Sequence, residues 1–195
     1  MTPIEALEVL ELEAAELWQH VERGGRLART AALALARRGS DDDRARLLVH
    51  PEAAVRAAAL WAAGPARIGE TAATRLLEDP DPLVVEAACW VLGELEAASA
   101  VSALARLARR HDDLRVRESS VAALGAIGDL RGLDAVLEAA SGDKPAVRRR
   151  AVVALCGFAD PRAEEALRRT CDDRDRSVRS LARDLVRDRG ALDES

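Results

Sequence analysis

Val116-Arg117-Glu118-Ser119-Ser120-Val121-Ala122-Ala123-Leu124-Gly125-Ala126-Ile127-Gly128-Asp129 sets small or apolar side chains four residues apart, at Val116, Ser120 and Leu124. With 3.6 residues per turn, offsets of 0, 4 and 8 fall on one face of a helix. A glycine near the end of such a segment is a natural stop, because a residue without Cβ accepts the left-handed turn that closes a helix.

The same pattern occurs five more times. Lead residues Leu27, Val55, Val84, Val116, Val147 and Val178 are separated by 28, 29, 32, 31 and 31 residues. Offset 4 is small throughout: Ala31, Ala59, Ala88, Ser120, Ala151 and Ala182. Offset 8 is apolar: Leu35, Ala63, Leu92, Leu124, Leu155 and Val186. Gly64, Gly93 and Gly125 follow directly as expected C-caps, and the fifth copy places Cys156 there with Gly157 one residue later. After each of these first helices comes a second amphipathic stretch, such as Val101-Leu104-Leu107 or Ala163-Ala166-Leu167, and then a polar turn. Pro51, Pro82 and Pro145 stand just before the next first helix, where the missing N–H costs little.

A helix pair of this length cannot bury its apolar face alone, so such units stack and end in modified caps. Thr2-Pro3-Ile4-Glu5 reads as a capping box that opens a helix with Ile4, Leu7, Leu10, Ala14, Leu17 and Val21 on one side. At the far end, Arg183 puts a charge where earlier copies are apolar, which suits a helix with one wet face. The expected organisation is an N-terminal capping helix over 1–23, repeats over 24–189 and a flexible tail over 190–195. The approximate units are 24–50, 51–79, 80–110, 111–142, 143–173 and a capping helix at 174–189.

Composition points the same way. The chain is 49% hydrophobic but only 2% aromatic, so Ala and Leu must supply the core, which favours close-packed helices over sheets. A net charge of −5 argues against a general nucleic-acid binder, which carries a basic face. Charge is nevertheless uneven: Met1 to Glu22 holds six glutamates and no Lys or Arg, whereas the segment after Lys144 is Arg-rich. Cys89, Cys156 and Cys171 are odd in number and widely spaced, which indicates neither a disulfide framework nor a zinc site and fits a reducing, cytoplasmic setting. No signal peptide and no membrane-length apolar run is expected.

These segments resemble the HEAT-like repeats named after phycobilisome lyases, whose pattern is D-P-x-V-R-x-x-A-x-x-A-L-G-x-I-G-D. The copy from Val116 matches best, and the resemblance spans about Leu27 to Val186. It implies an all-α fold, a right-handed α-α superhelix of about five to six helical pairs, with the V-R-x-x-A-x-x-A-L-G helices lining a concave face. It implies no single activity: members include bilin lyase subunits, scaffolds, chaperone-like adaptors and a few enzymes that act on DNA. Function has to be argued from a site.

If offsets 0, 4 and 8 face the core, offsets 2 and 6 face elsewhere, and the resemblance points them into the concavity. Offset 6 reads Leu33, Trp61, Trp90, Ala122, Val153 and Asp184, so Trp61 and Trp90 should be neighbours on one surface. Offset 2 reads Arg29, Ala57, Glu86, Glu118, Arg149 and Ser180. Glu86 lies one turn before Trp90, and the expected groove runs through Glu86 and Glu118 to Arg149 and Arg150. Aromatic and arginine side chains beside one another are the composition of a binding hot spot. A tryptophan in an Ala-rich bundle is as readily a gap-filling core residue, so both readings stand.

Arg56, Arg117, Arg148 and Arg179 recur at offset 1, which reads as ion pairing with the acidic turns. His20, His50 and His111 sit near helix ends or in turns without shared repeat offsets, and Cys89 reads as a small buried hydrophobe. No nucleophile elbow, phosphate loop or metal motif occurs, so no cofactor, metal or catalytic residue is expected. The expected function is a non-catalytic scaffold or adaptor that binds another protein through the concave face. The alternatives are a chromophore-lyase or chaperone-type subunit acting on a protein partner and, more weakly, nucleic-acid binding.

Overall fold

Runs of Ala, Leu and Arg between polar turns fold into α-helices throughout the computed structural model, which describes residues 8–193; no strand occurs among the described residues. Two units divide the chain, Met1–Val91 and Leu92–Ser195.

In the first unit, residues 8–10 are helical and α1 follows at Ala14–Arg23. The single helix expected from Ile4 through Val21 is therefore broken at 11–13, where the Glu16 carboxylate accepts the Glu13 N–H at 3.2 Å and starts a new helix. The capping box expected at Thr2–Glu5 lies outside the described residues. Helix α2, Ala28–Arg38, packs against α1 and against α4, Ala53–Ala63. The core here is largely alanine: Ala31, Ala32, Ala58 and Ala59 are fully buried beside Leu35, Val55 and Leu60, and such small side chains allow close helix axes. Helix α3, Asp41–Leu48, is opened by Ser40, whose Oγ accepts the Asp43 N–H while the Asp43 carboxylate accepts the Ser40 N–H. The other Asp43 oxygen takes the Trp18 Nε1–H at 2.6 Å, and Arg46 lies 3.7 Å over the Trp18 ring.

Gly64 ends α4 at φ +81°, as a C-cap glycine should. Two short helices follow instead of one, α5 at Pro65–Ile68 and α6 at Glu70–Leu76, separated by Gly69. Helix α7, Pro82–Glu94, carries the boundary between the units, with proline at its first position.

The second unit holds α8 (Val101–Arg110), α9 (Leu114–Ile127), α10 (Leu133–Gly142), α11 (Pro145–Leu155), α12 (Pro161–Thr170) and α13 (Arg176–Asp193). First helices stack on first helices, α9 on α11 and α11 on α13; second helices stack on second helices, α8 on α10 and α10 on α12. Each repeat thus buries its apolar face against its counterpart in the next, as a repeat array requires. Val116, Leu124, Val147, Leu155 and Val178 are at most 1% exposed, so these lead and offset-8 positions face the core, whereas Val186 of the last copy is half-buried.

Gly93 and Gly125 correct the capping expectation. Both lie inside their helices, which run on to Glu94 and Ile127; the left-handed cap of α9 is Gly128, at φ +67°. A Cβ on Gly93 would stand 3.0 Å from Ala123 Cα, and one on Gly125 only 2.5 Å from Ala154 Cα. These glycines are contact points at which successive first helices meet backbone to backbone.

Candidate functional site

The arginines at offset 1 are structural clasps. Arg56 pairs in bidentate fashion with Asp79, its Nε 2.8 Å from Oδ2 and its Nη2 2.7 Å from Oδ1. Arg117 grips Asp143 and Arg148 grips Asp173 in the same way. The third guanidinium nitrogen donates backward to a carbonyl of the preceding turn: His50 for Arg56, His111 for Arg117, Asp143 for Arg148 and, in the last copy, Asp173 for Arg179. Arg148 is 1% exposed, so its charge has to be neutralised inside the fold. The hydrogen bond from Arg148 holds the Asp173 carboxyl below the usual aspartate range, and Asp143 and Asp173 in turn raise Arg117 and Arg148.

Each paired aspartate has a second task. Asp79 accepts the Asp81 N–H at 2.9 Å and Asp173 the Asp175 N–H at 2.7 Å, shaping the turn into the next first helix. His50 and His111 do the same with Nδ1, accepting the Glu52 and Asp113 N–H groups at 3.1 Å. Both stand five residues before a lead valine, Val55 or Val116, in register with Asp79 and Asp173. This corrects the reading that the histidines share no repeat position. The preceding copies carry Ala28 and Val85 at offset 1 instead of arginine, so an imidazole supplies the acceptor where a carboxylate would lack its ladder partner.

With the ladder arginines spent on structure, the other first-helix face remains. Trp61 of α4 and Trp90 of α7 meet with ring centroids 4.9 Å apart at 33°, within the range of favourable aromatic pairs. Trp61 is 39% exposed and Trp90 half-buried. Glu86, one turn before Trp90, is half-buried, whereas Ala57, its counterpart before Trp61, is buried in the core. Four large apolar side chains are exposed among the described residues, and two of them, Trp61 and Val153, occupy offset 6.

In the second unit Glu118 of α9, Arg149, Arg150 and Val153 of α11, and Ser177 and Leu181 of α13 border a groove of about 460 Å³. Three of the six expected site residues, Glu118, Arg149 and Arg150, thus come together around one depression, and Trp61 and Trp90 form the ring pair of the other unit. Ser177 and Leu181 were not legible as site residues, because they stand at offsets −1 and 3 of the last copy, outside offsets 2 and 6. Neither Arg149, Arg150 nor Glu118 makes an ion pair or hydrogen bond with another described residue, in contrast to the ladder arginines. Cys89 is fully buried, as read. Among the described residues no group of three or more His, Cys, Asp or Glu side chains could hold a metal ion, and no helix is long and apolar enough to cross a membrane.

The family described as HEAT repeats matches residues 72–145, and the PBS lyase HEAT-like repeat matches residues 147–173. No curated protein matches the sequence. Among solved structures, a designed armadillo repeat protein in complex with the peptide (KR)4 is similar over 92% of this chain and 95% of that one, at 16% identity and a TM-score of 0.60. An engineered protein is similar over 94% of each chain at 18% identity and a TM-score of 0.60. A second designed armadillo repeat protein covers 92% of this chain and 96% of its own at 18% identity, with a TM-score of 0.58. At these identities the likeness is one of fold, an all-α repeat solenoid. Repeat register, stacked helix pairs and matched profiles agree: the chain belongs to the HEAT-like repeat proteins.

Proposed function

We propose that the chain is a non-catalytic scaffold that binds a segment of another protein on the face carrying offsets 2 and 6 of its first helices. One observation carries this reading: Trp61 and Trp90, set at the same offset of successive first helices, stack on each other while Trp61 remains 39% exposed. Two large rings left partly in water form an apolar anchor that a partner can cover, and tryptophan is the residue most enriched in such anchors. The similar fold of the designed armadillo repeat protein, which is in complex with a peptide, adds support that stacked helix pairs can present a peptide-binding surface.

The test is selection of peptides against the intact chain from a random display library, followed by affinity measurement on Trp61→Ala and on the Trp61→Ala/Trp90→Ala pair. Circular dichroism verifies that each variant is folded. A hot-spot tryptophan contributes about 2 kcal/mol or more, so selected peptides should bind the single variant roughly 30-fold more weakly. Peptides that bind the folded variants as tightly as the parent would rule the tryptophan pair out as the anchor.

A further inference from the structure

We infer that the groove of the second unit takes a protein segment in which carboxylate side chains flank an aliphatic one. The inference rests on the protein-binding reading above and assigns partner chemistry to a part of the surface that the tryptophan pair does not supply.

Most arginines facing the turns of this unit are paired. Arg117 and Arg148 are satisfied by Asp143 and Asp173, and Arg162 by Asp134 and Asp160. Arg149 and Arg150, on the same helix as Arg148, stand exposed at the groove with no such partner among the described residues. A guanidinium offers a fixed fork of donors matched to a carboxylate, so two unsatisfied forks bordering one groove select an acidic side chain. The wall beside them is apolar: Val153 is 47% exposed and Leu181 is half-buried. An aliphatic side chain between the carboxylates would cover that wall.

Glu118 gives the site a direction. It lines the groove without an ion pair of its own, and it disfavours a second carboxylate at its end. It also disfavours a phosphate backbone, as does the chain's net charge of −5. A short acidic-aliphatic segment satisfies the arginines and the apolar wall; a polyanion meets Glu118.

The experiment is fluorescence anisotropy of a fluorescein-labelled peptide with one Glu-Leu-Glu segment among neutral Gly and Ser residues (the Glu-Leu peptide), titrated with the full chain at low and at physiological ionic strength. A Lys-Leu peptide and a single-stranded oligonucleotide serve as competing probes. The expected result is saturable binding of the Glu-Leu peptide, weakened by salt, and lost by roughly tenfold or more in Arg149→Glu/Arg150→Glu. Arg23→Glu/Arg75→Glu makes the same change in net charge on exposed residues elsewhere and should shift the affinity roughly twofold at most. Glu118→Gln should tighten binding by roughly twofold to threefold. Equal losses in the two double variants, no saturable binding of the Glu-Leu peptide, or an oligonucleotide that binds as tightly would each overturn the inference. None of these results touches the test of Trp61 and Trp90, which uses independently selected peptides.

Discussion

Replacing Gly125 by alanine sets two opposing effects against each other, and the sign of the outcome tests how the first helices stack. In an exposed helix interior, Gly→Ala stabilises by about 1 kcal/mol, because alanine loses less backbone entropy on folding. Here the new Cβ would stand 2.5 Å from Ala154 Cα, 2.6 Å from Ala154 Cβ and 3.0 Å from Ala154 O. Relaxed carbon–carbon contacts lie at about 3.5–4.0 Å, so α9 and α11 would have to separate by roughly 1 Å. Two of the three obstructing atoms are backbone, which cannot rotate away as a side chain could. Overpacking of this kind costs about 1–3 kcal/mol and more when backbone must move, which outweighs the propensity gain. Net destabilisation of about 1–2 kcal/mol lowers the melting temperature of a chain this size by roughly 2–8 °C. Gly93→Ala meets Ala123 Cα at 3.0 Å and should cost less, while Gly142→Ala meets nothing within 4 Å and should be neutral or slightly stabilising. Thermal melts followed by circular dichroism at 222 nm would rank the three variants. A Gly125→Ala protein that melts at or above the parent temperature would refute the backbone-to-backbone packing.

Other outcomes follow from the ladder. Asp173→Ala leaves Arg148 buried without its partner and should cost about 3–5 kcal/mol, whereas Asp134→Ala, which breaks an exposed pair with Arg162, should cost under about 1 kcal/mol; urea titrations compare the two. Asp143 and Asp173 both have folded-state pKa values below 3.8; for Asp143 burial opposes ionisation, but hydrogen bonds from Arg117 and the Lys144 N–H prevail. Their contribution is therefore complete above the unfolded value of about 4 and lost as pH falls through the lower folded values, so the melting temperature should drop steeply below about pH 4. Asp129, hydrogen-bonded by the Arg131 side chain and backbone N–H, is lowered to about 2, and carboxyl-carbon NMR should show this midpoint rise in Arg131→Ala.

Periodicity made much of this molecule legible. Lead valines four and eight residues ahead of small and apolar partners state helix, core face and repeat length together, and that is how Trp61 and Trp90 could be placed side by side. Gly93 and Gly125 were misread for a physical reason: a glycine near a helix end serves equally as a left-handed cap or as a point of close approach, and only the neighbouring helix decides between them. His50 and His111 are equivalent only relative to the lead residue that follows them, Val55 or Val116, and not to the one before, where the repeat lengths differ. Arg149 was legible as a groove residue from its offset, and Arg150 as its neighbour in sequence. Their lack of partners was not, since pairing depends on which carboxylates the turns bring within reach. The break at 11–13 was invisible because the apolar stripe runs through it unaltered.

The doubly used aspartate bears on how a chain of this kind can change its length. A whole repeat such as 113–143 contains both an arginine and the carboxylate that it grips, and that carboxylate also accepts an N–H at the threshold of the following repeat. A tandem copy of the segment would arrive with its own fastening and with the acceptor its successor needs, so growth or loss by whole units demands no compensating substitution at the splice.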